Sequence, residues 1–319
     1  MSGDGQLGFV DAFLAAGLGS NRKLERLSGL IDWSAVEQLV AELRPAATTG
    51  RPAYAPLAMV KAIYLQALYD LSDPGLEEAL SDRLSFRRFC GLALDATTPD
   101  ETTICRFRAT AGPLLAAALE EINRQLAAKG LMVRKGSLLD ATLIAANGKP
   151  PARAAGLGAG HDKEPDADWT RKNGKAFFGY KAHLGVDQGS GLVRRVRLTS
   201  AKTYESEVAD ALICGDEGAV YGDRAYEHKQ RRARLKAAGI KDRIMHRRHK
   251  HLPVLPRWQQ RRNQLIARRR APVEAVFSAF KRLYGLTRAR YRSLTRNTNR
   301  LLAIVAVYNL RRAVTISGP

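Results

Sequence analysis

Three acidic residues in the C-terminal two-thirds of the chain occupy positions where a carboxylate could take part in chemistry. Asp140 interrupts the apolar run 137–144, and Asp223 follows the apolar run 219–222. Glu274 is the only carboxylate side chain between residues 243 and 319, a stretch that carries 19 Lys and Arg. An unpaired carboxylate inside an apolar strand is costly, so it usually has a cation or a hydrogen-bonding partner. Carboxylate oxygens are the ligands that Mg²⁺ and Mn²⁺ prefer, so we predict a two-ion site formed by all three acids.

Two cations flank Glu274 in the sequence. Arg270 precedes it by four residues and Lys281 follows it by seven. On one continuous helix, the three side chains would fall within roughly 40° of one another, beside an apolar stripe. An acid next to phosphate-binding cations suits metal-dependent phosphodiester chemistry, in which one ion activates the attacking oxygen and the other stabilises the leaving oxygen. The alternative is an ordinary ion pair on a solvated helix.

The positive charge of the chain is concentrated in one block. The net charge is +21, and residues 224–300 contain 24 Lys and Arg against three acids, whereas the rest of the chain balances. A localised basic block indicates a polyanionic partner and is typical of a nucleic-acid groove, with a membrane surface as the weaker alternative. Within this block, Trp258 is followed by Arg261 and Arg262, and all three are predicted to bind DNA. Trp258 would stack on an unpaired base, with core packing as the alternative.

The elements that must position these residues fall into two parts. Residues 1–130 have helical periodicity, with a capping-type start before the short helix that carries Thr102, Thr103, Arg106 and Arg108. These four could contact DNA, or the helix could simply pack. From residue 131, the pattern predicts the order β-β-β-α-β-α-β-α. Three antiparallel strands followed by parallel strands and helices define an α+β arrangement, a mixed sheet flanked by helices, as in the ribonuclease H-like fold.

The segment 148–172 is rich in Gly, Pro, Ala and charge, which predicts a flexible loop. Its acids and histidine are expected to be solvated rather than to bind metal; they are His161, Asp162, Glu164, Asp166 and Asp168. Three scattered cysteines do not form a disulfide framework. No secretory leader and no membrane span are evident, so we expect a cytoplasmic protein without a membrane partner, associated with the nucleoid when it acts on DNA.

Four segments of the chain resemble one protein family. YAPLAMVKAIYLQALYDLSD and TPDETTICRFR are similar to the helical DNA-binding region of bacterial DDE transposases of the insertion-sequence-five type, within the insertion-sequence-four/five superfamily. LLDATLI and VYGDRAY resemble the first-Asp and second-Asp motifs of that family, and FFGYKAHLGVD resembles the hairpin between them. The spacing Arg270-x3-Glu274-x6-Lys281 resembles the C-terminal signature, although Ala267 stands where the family has Tyr.

The resemblance implies a helical DNA-binding region over residues 1–130 and a catalytic domain over residues 131–319. Asp140, Asp223 and Glu274 would bind two Mg²⁺ or Mn²⁺ ions, while Arg270 and Lys281 would contact DNA phosphates. The implied activity is cleavage at terminal inverted repeats and joining of 3′-hydroxyl ends to target DNA by a homodimer or higher oligomer. A metal-dependent nuclease without strand transfer and a non-catalytic DNA-binding regulator are the alternatives. The roles of two further residues remain open. His183 could approach the site or be purely structural, and Tyr226 could pack against DNA or close the strand-to-helix turn.

Overall fold

The computed structural model describes residues 19–43, 54–150, 164–172, 174–248 and 252–318. The chain divides into two compact units. The first, here the helical unit, comprises Met1–Ala128 together with Asn299–Pro319. The second, here the sheet unit, comprises Lys129–Thr298.

In the residues that the structure describes, the N-terminal part of the helical unit contains seven helices. They are α1 (Arg22–Gly29), α2 (Trp33–Glu42), α3 (Pro56–Tyr69), α4 (Asp73–Asp82), α5 (Leu84–Cys90), α6 (Glu101–Thr110) and α7 (Gly112–Ala128). Polar side chains cap four of them, because Asn21, Asp32, Ser72 and Asp100 each accept a backbone N–H of the first turn. Helix α3 is buried on every side, which explains its nearly continuous apolar sequence.

The C-terminal part of the chain completes the helical unit. Helix α12 (Leu294–Ile316) begins within the sheet unit, and from Asn299 onwards it belongs to the helical unit. Asn299 Nδ2 donates to the carbonyl of Arg108 at 2.7 Å, and Asn309 Nδ2 donates to Asn123 Oδ1 at 2.8 Å. The sequence-based division assigned residues 131–319 to one domain, whereas the structure places residues 299–319 with the N-terminal helices. The periodicity of α12 could not reveal this, because an apolar stripe does not specify which unit covers it.

The sheet unit is built on six strands. They are β1 (Ser137–Ala145), β2 (Asp168–Lys172), β3 (Lys175–Asp187), β4 (Val193–Ser200), β5 (Ala219–Gly222) and β6 (Lys241–Ile244). The sheet order is β2-β3-β1-β5-β6, and β4 also pairs with β3. The β1–β3 and β3–β4 pairs are antiparallel, and β1–β5 and β5–β6 are parallel, so the sheet is mixed as predicted.

Helices cover the sheet and supply the residues at its ends. They are α8 (Glu205–Leu212), α9 (Lys229–Ala237), α10 (Arg257–Arg270) and α11 (Pro272–Leu283), with a 3₁₀ turn at Arg224–Tyr226. On one face, α8 packs its Val208 and Leu212 against Leu139 and Val220 of the two central strands. Burial of each such side chain stabilises the fold by about 1.5–3 kcal/mol, which fixes the central strands that carry the acids.

Two predictions about local structure require correction. Residues 168–172 of the predicted flexible segment form β2, paired antiparallel with Phe177 and its neighbours on β3. Glu164, predicted to be solvated, is buried and accepts the backbone N–H groups of Asn147 at 3.1 Å and Gly148 at 2.8 Å. Asp166 accepts the N–H of Leu294 at 2.8 Å. His161 and Asp162 lie outside the described residues.

The long helix predicted to carry Glu274 is interrupted. Helix α10 ends at Arg270 and α11 begins at Pro272, with Ala271 between them. Proline lacks the N–H that would continue the hydrogen-bond ladder, and it is favoured at the first position of a helix, so the interruption falls where Pro272 stands. Arg270 and Glu274 therefore lie on different helices. Within the described ranges, no helix combines the length and the apolar character needed to cross a bilayer.

Candidate active site

Asp140 and Asp223 lie at the same level on adjacent strands. In the parallel pairing of β1 with β5, Leu138 is opposite Tyr221. Asp140 lies two residues beyond Leu138, and Asp223 lies two residues beyond Tyr221. Because the strands are parallel, the two acids are side by side at the carboxyl end of β5. The apolar run that precedes each acid forms the strand, and the register of the two strands aligns the acids.

A tight turn holds Asp223 in place. Its Oδ1 accepts the N–H of Ala225 at 2.8 Å, and its carbonyl accepts the N–H of Tyr226 at 3.1 Å. The ring of Tyr226 packs against Gly222, where an added Cβ would lie 3.0 Å from the Tyr226 Cβ. Tyr226 is 1% exposed. It closes the strand-to-helix turn, and its burial rules out the alternative that it packs against DNA.

Arg270 pairs with Asp140. The two side chains are 13% and 21% exposed, and Nη2 of Arg270 lies 3.0 Å from Oδ1 of Asp140. Burial raises the pKa of Asp140, the Arg270 charge lowers it, and the charges of Asp223 and Glu274 raise it further. All three predicted acids and Arg270 are thus close enough to influence one carboxyl group. Arg270 is the last residue of α10, one position before the interruption at Ala271, and its side chain reaches β1 of the sheet.

The three carboxylates suit a divalent cation in type and charge, but their side chains are not close enough together to bind one. Within the parts of the chain that the structure describes, no three His, Cys, Asp or Glu side chains are close enough together to hold a metal ion. Glu274 is exposed in the first turn of α11. Carboxylates repel one another without a cation, and Arg270 already neutralises Asp140. Asp140, Asp223 and Glu274 supply only oxygen ligands, the type that Mg²⁺ and Mn²⁺ take.

Lys281 has a basic neighbour that the sequence did not reveal. It is exposed on α11, and its pKa is lowered by burial first and by the charge of Lys172 second. Lys172 is the last residue of β2, the strand that was predicted to be a loop. Two cations that repel each other at a surface provide a position for an anion. The pairing of β2 with β3 is what brings Lys172 there, and sequence spacing gave no signal of it.

A basic cavity of about 840 Å³ lies between α10 and the strands β5 and β6. Trp258 on its wall is 61% exposed and meets His246 edge-on at 5.4 Å between ring centroids. Its exposure excludes the core-packing alternative. Arg261 is exposed beside it. The other lining side chains include Arg243, Arg257, Leu265 and Arg269.

Two predicted DNA contacts are structural instead. Arg108 is 1% exposed and pairs through two nitrogens with Asp73, each contact at 2.5 Å. Arg262 donates to the carbonyls of Ile244 and Asp242, both at 2.8 Å, and so holds the end of β6 against α10. Both guanidinium groups are occupied by protein acceptors, because each side chain lies on the inner face of its helix. Arg106 and Thr102, on the outer face of α6, are exposed.

His183 is structural as well. It is 0% exposed, its Nε2 lies 3.0 Å from Thr199 Oγ1, and burial lowers its pKa to about 4. It lies opposite Ala141, the residue after Asp140, so its side chain and that of Asp140 face opposite sides of the sheet. A neutral, enclosed imidazole on the other face cannot act on a substrate bound at Asp140.

The fold and these acids define a class of protein. A helical N-terminal region followed by a mixed sheet with aspartates at adjacent strand ends is the architecture of a ribonuclease H-like DDE domain. Residues 132–310 match the family described as Transposase DDE domain, and residues 14–110 match the family described as Transposase domain (DUF772). The chain belongs to the DDE transposases of the insertion-sequence-four/five type, as the resemblance predicted. No solved structure matches it.

Proposed function

We propose that this protein binds the terminal inverted repeats of an insertion sequence, cleaves the DNA by metal-dependent phosphodiester hydrolysis, and joins the 3′-hydroxyl ends to target DNA. The observation that carries the proposal is the alignment of Asp140 with Asp223 across β1 and β5, with Arg270 bound to Asp140. Family membership supports transposition rather than cleavage alone. The reaction would take place at the nucleoid, in the cytoplasm.

The residues of the chain have distinct roles in this reaction. Asp140, Asp223 and Glu274 would hold two Mg²⁺ or Mn²⁺ ions, which supply Lewis acidity and an activated water or hydroxyl. The hydrogen bond from Ala225 N–H and the packing of Tyr226 on Gly222 keep Asp223 oriented. Arg270, which pairs with Asp140 in this structure, would neutralise the phosphate beside the reacting bond.

DNA binding would use the surfaces on which cations remain exposed. Lys281 and Lys172 would bind a backbone phosphate next to the acids. Arg261 and Trp258 would bind the DNA along α10, and Arg106 would bind it from α6. Since two ends must be cut in a coordinated way, we expect a homodimer or higher oligomer to hold the transposon ends and the target DNA together.

The proposal is tested with labelled DNA that contains the inverted repeat flanking the gene. Wild-type protein should nick this DNA at the repeat end with Mg²⁺ or Mn²⁺ and then form joined products, and a chelator should prevent both. Asp223→Asn should abolish nicking and leave end binding unchanged. Glu207→Gln, which removes an exposed acid from the same unit, serves as the matched control and should cleave normally. A fully active Asp223→Asn variant would overturn the assignment.

Two outcomes would favour the other functions. Nicking without joined products would indicate a nuclease that lacks strand transfer. Binding to the repeat without cleavage, under every metal condition and with both ends supplied, would indicate a DNA-binding regulator.

A further inference from the structure

Arg231 is buried in the sheet unit although it belongs to the basic block 224–300. It lies on α9 and is 2% exposed, whereas Arg232 and Arg234 of the same helix are 26% and 62% exposed. A guanidinium group is costly to bury unless acceptors satisfy its donors. The acceptors of Arg231 are all protein groups, so this cation does not serve as a phosphate contact.

The guanidinium of Arg231 joins α9 to two other segments of the sheet unit. Its Nη1 donates to the carbonyl of Tyr226 at 2.5 Å, and its Nη2 donates to the carbonyl of Ser206. Its Nε donates to Oδ1 of Asp210 at 2.8 Å. Ser206 and Asp210 belong to α8, and Tyr226 ends the 3₁₀ turn after β5. One side chain therefore connects that turn to α8.

Helix α8 is itself fixed to the sheet. Along its length, its apolar side chains pack against the two central strands. At its start, the buried Lys181 of β3 donates to the carbonyl of Thr203 at 2.8 Å and pairs with Glu205 Oε1 at 3.0 Å. The carbonyl of Ser206 that Arg231 contacts is thus held in a defined position by the sheet.

The turn that Arg231 contacts is the one that orients Asp223. The N–H of Ala225 donates to Asp223 Oδ1 at 2.8 Å, and the N–H of Tyr226 donates to the Asp223 carbonyl at 3.1 Å. The carbonyl of Tyr226 is at the other end of this turn, and its contact with Arg231 is enclosed by protein. Loss of a buried hydrogen bond at that carbonyl weakens the turn relative to the other conformations that the segment can adopt.

We propose that Arg231 is a positioning residue for DNA cleavage, because its hydrogen bond to the carbonyl of Tyr226 keeps the Asp223 carboxylate oriented beside Asp140. The inference rests on the proposed function, since it takes Asp223 to be a metal ligand. Arg231 acts only through the turn and does not contact the DNA. A displacement of a reacting group by about 1 Å can lower a rate on the order of a hundredfold, so the effect on catalysis can exceed the effect on folding.

The variant Arg231→Leu removes all the donors and keeps an apolar side chain in the same position. Asp210, which is 41% exposed, retains its ion pair with Arg234 at 2.5 Å, so the substitution leaves no buried charge without a partner. Arg234→Ala is the matched control. It removes the exposed arginine that shares the Asp210 carboxylate but does not contact the turn.

Amide hydrogen exchange followed by NMR measures the turn in protein without DNA or metal. The amides of Val220 and Leu184, in two central strands, report unfolding of the whole unit. In Arg231→Leu, we expect the amides of Ala225 and Tyr226 to exchange faster, by about tenfold more than any acceleration at Val220 and Leu184, as one lost hydrogen bond predicts. Arg234→Ala should exchange as wild type does at both turn amides.

The cleavage assay supplies a readout that a loss of stability alone would not change. At saturating end DNA, Arg231→Leu should nick at least about tenfold more slowly, while its Kd for that DNA stays within about twofold of wild type. Arg234→Ala should nick at the wild-type rate under the same conditions. If Arg231→Leu does not fold, Arg231→Lys is measured instead. Its single ammonium group cannot reproduce the planar fork that contacts two carbonyls and a carboxylate, so it should show changes in the same direction.

Three results would overturn the proposal. Wild-type exchange at Ala225 and Tyr226, or an acceleration there that only equals that at Val220 and Leu184, would make Arg231 a residue that stabilises the fold and nothing more. A nicking defect that disappears at saturating DNA would place the defect in DNA binding. Failure of the proposed function is distinguishable, because a wild-type protein that never nicks DNA still shows whether Arg231 holds the turn.

Discussion

Arg270 Nη2 lies 3.0 Å from Asp140 Oδ1, so without metal a predicted metal ligand is neutralised by an arginine of the same chain. Asp140 is mostly enclosed, and burial disfavours its charged form. The arginine therefore compensates the charge of an acid that would otherwise be costly to keep ionised. Arg270 and a divalent cation must compete for the same carboxylate, which means that binding of metal or of DNA should release Arg270.

Removing Arg270 should strengthen metal binding and weaken catalysis. We expect Arg270→Ala to bind Mn²⁺ about tenfold more tightly in the absence of DNA, equivalent to about 1.4 kcal/mol of removed repulsion. Its DNA cleavage should nevertheless fall, because no cation would remain beside the phosphate. Titration of Mn²⁺ by electron paramagnetic resonance gives the affinity. Arg269→Ala, one residue away and on the cavity wall, is the control and should leave Mn²⁺ affinity nearly unchanged. Weaker Mn²⁺ binding by Arg270→Ala would show that the arginine does not compete.

Two arginines on α6 should behave oppositely. Arg108→Ala removes the buried guanidinium that pairs with Asp73 and should lower the free energy of unfolding by about 3 kcal/mol. Arg106→Ala removes an exposed cation and should weaken DNA binding without changing the unfolding midpoint. Urea unfolding and fluorescence anisotropy distinguish the two effects. If Arg106→Ala bound DNA as wild type does, α6 would be a packing helix only.

A second matched pair lies on α10. Arg261→Ala should reduce the slope of log K against log salt concentration by about one, as expected for the loss of one phosphate contact. Arg262→Ala should instead lower thermal stability, because its guanidinium holds the carbonyls of Ile244 and Asp242. Measuring the Kd from low to physiological salt for both variants separates these roles. An unchanged slope for Arg261→Ala would exclude this wall of the cavity from the DNA surface.

The buried His183 should make the protein sensitive to acid. A histidine in the unfolded chain takes up a proton near pH 6.5, whereas burial lowers the pKa of folded His183 to about 4. Between pH 6.5 and pH 4, the unfolded state therefore binds more protons than the folded state. The stability that the neutral His183 contributes is fully present above pH 6.5 and is lost as the pH falls toward 4. The value of about 4 already includes the charge of Lys181, which lowers the pKa of His183, and the charge of Glu205, which raises it. We expect the free energy of unfolding to fall by about 3 kcal/mol more in wild type than in His183→Gln between pH 7 and pH 4. If the free energy of unfolding changed with pH in the same way for both proteins, the lowered pKa of folded His183 would be contradicted.

The sequence predicted the fold class and the approximate positions of the acids, because short apolar runs such as those around Asp140 and before Asp223 are typical of central strands. It did not predict that Arg108 and Arg262 are buried, since an arginine on the inner face of a helix has the same local pattern as one on the outer face. Pro272 was a signal for the interruption at Ala271, and the single-helix prediction overlooked it. Lys181 within an apolar strand was a comparable signal, because a buried lysine requires an acidic partner such as Glu205.

The pairing of Arg270 with Asp140 had no such signal, because the two residues are far apart in the chain and their contact depends on how α10 packs against the sheet. β2 was hidden for a related reason. Its five residues are mostly polar and follow a Gly- and Pro-rich stretch, and only the unusually long β3 gives them a partner.

The helical unit is discontinuous along the chain, and this sets an order of events during synthesis. The helices α1 to α7 leave the ribosome before the sheet unit, but α12 leaves after it. The carbonyl of Arg108 and the side chain of Asn123 cannot meet Asn299 and Asn309 until then. Because domains generally fold as units while the chain emerges, the three predicted metal-binding acids can be brought together on a nascent chain whose helical unit is still incomplete. A frameshift after residue 298 would consequently unfold the beginning of the protein rather than merely shorten its end.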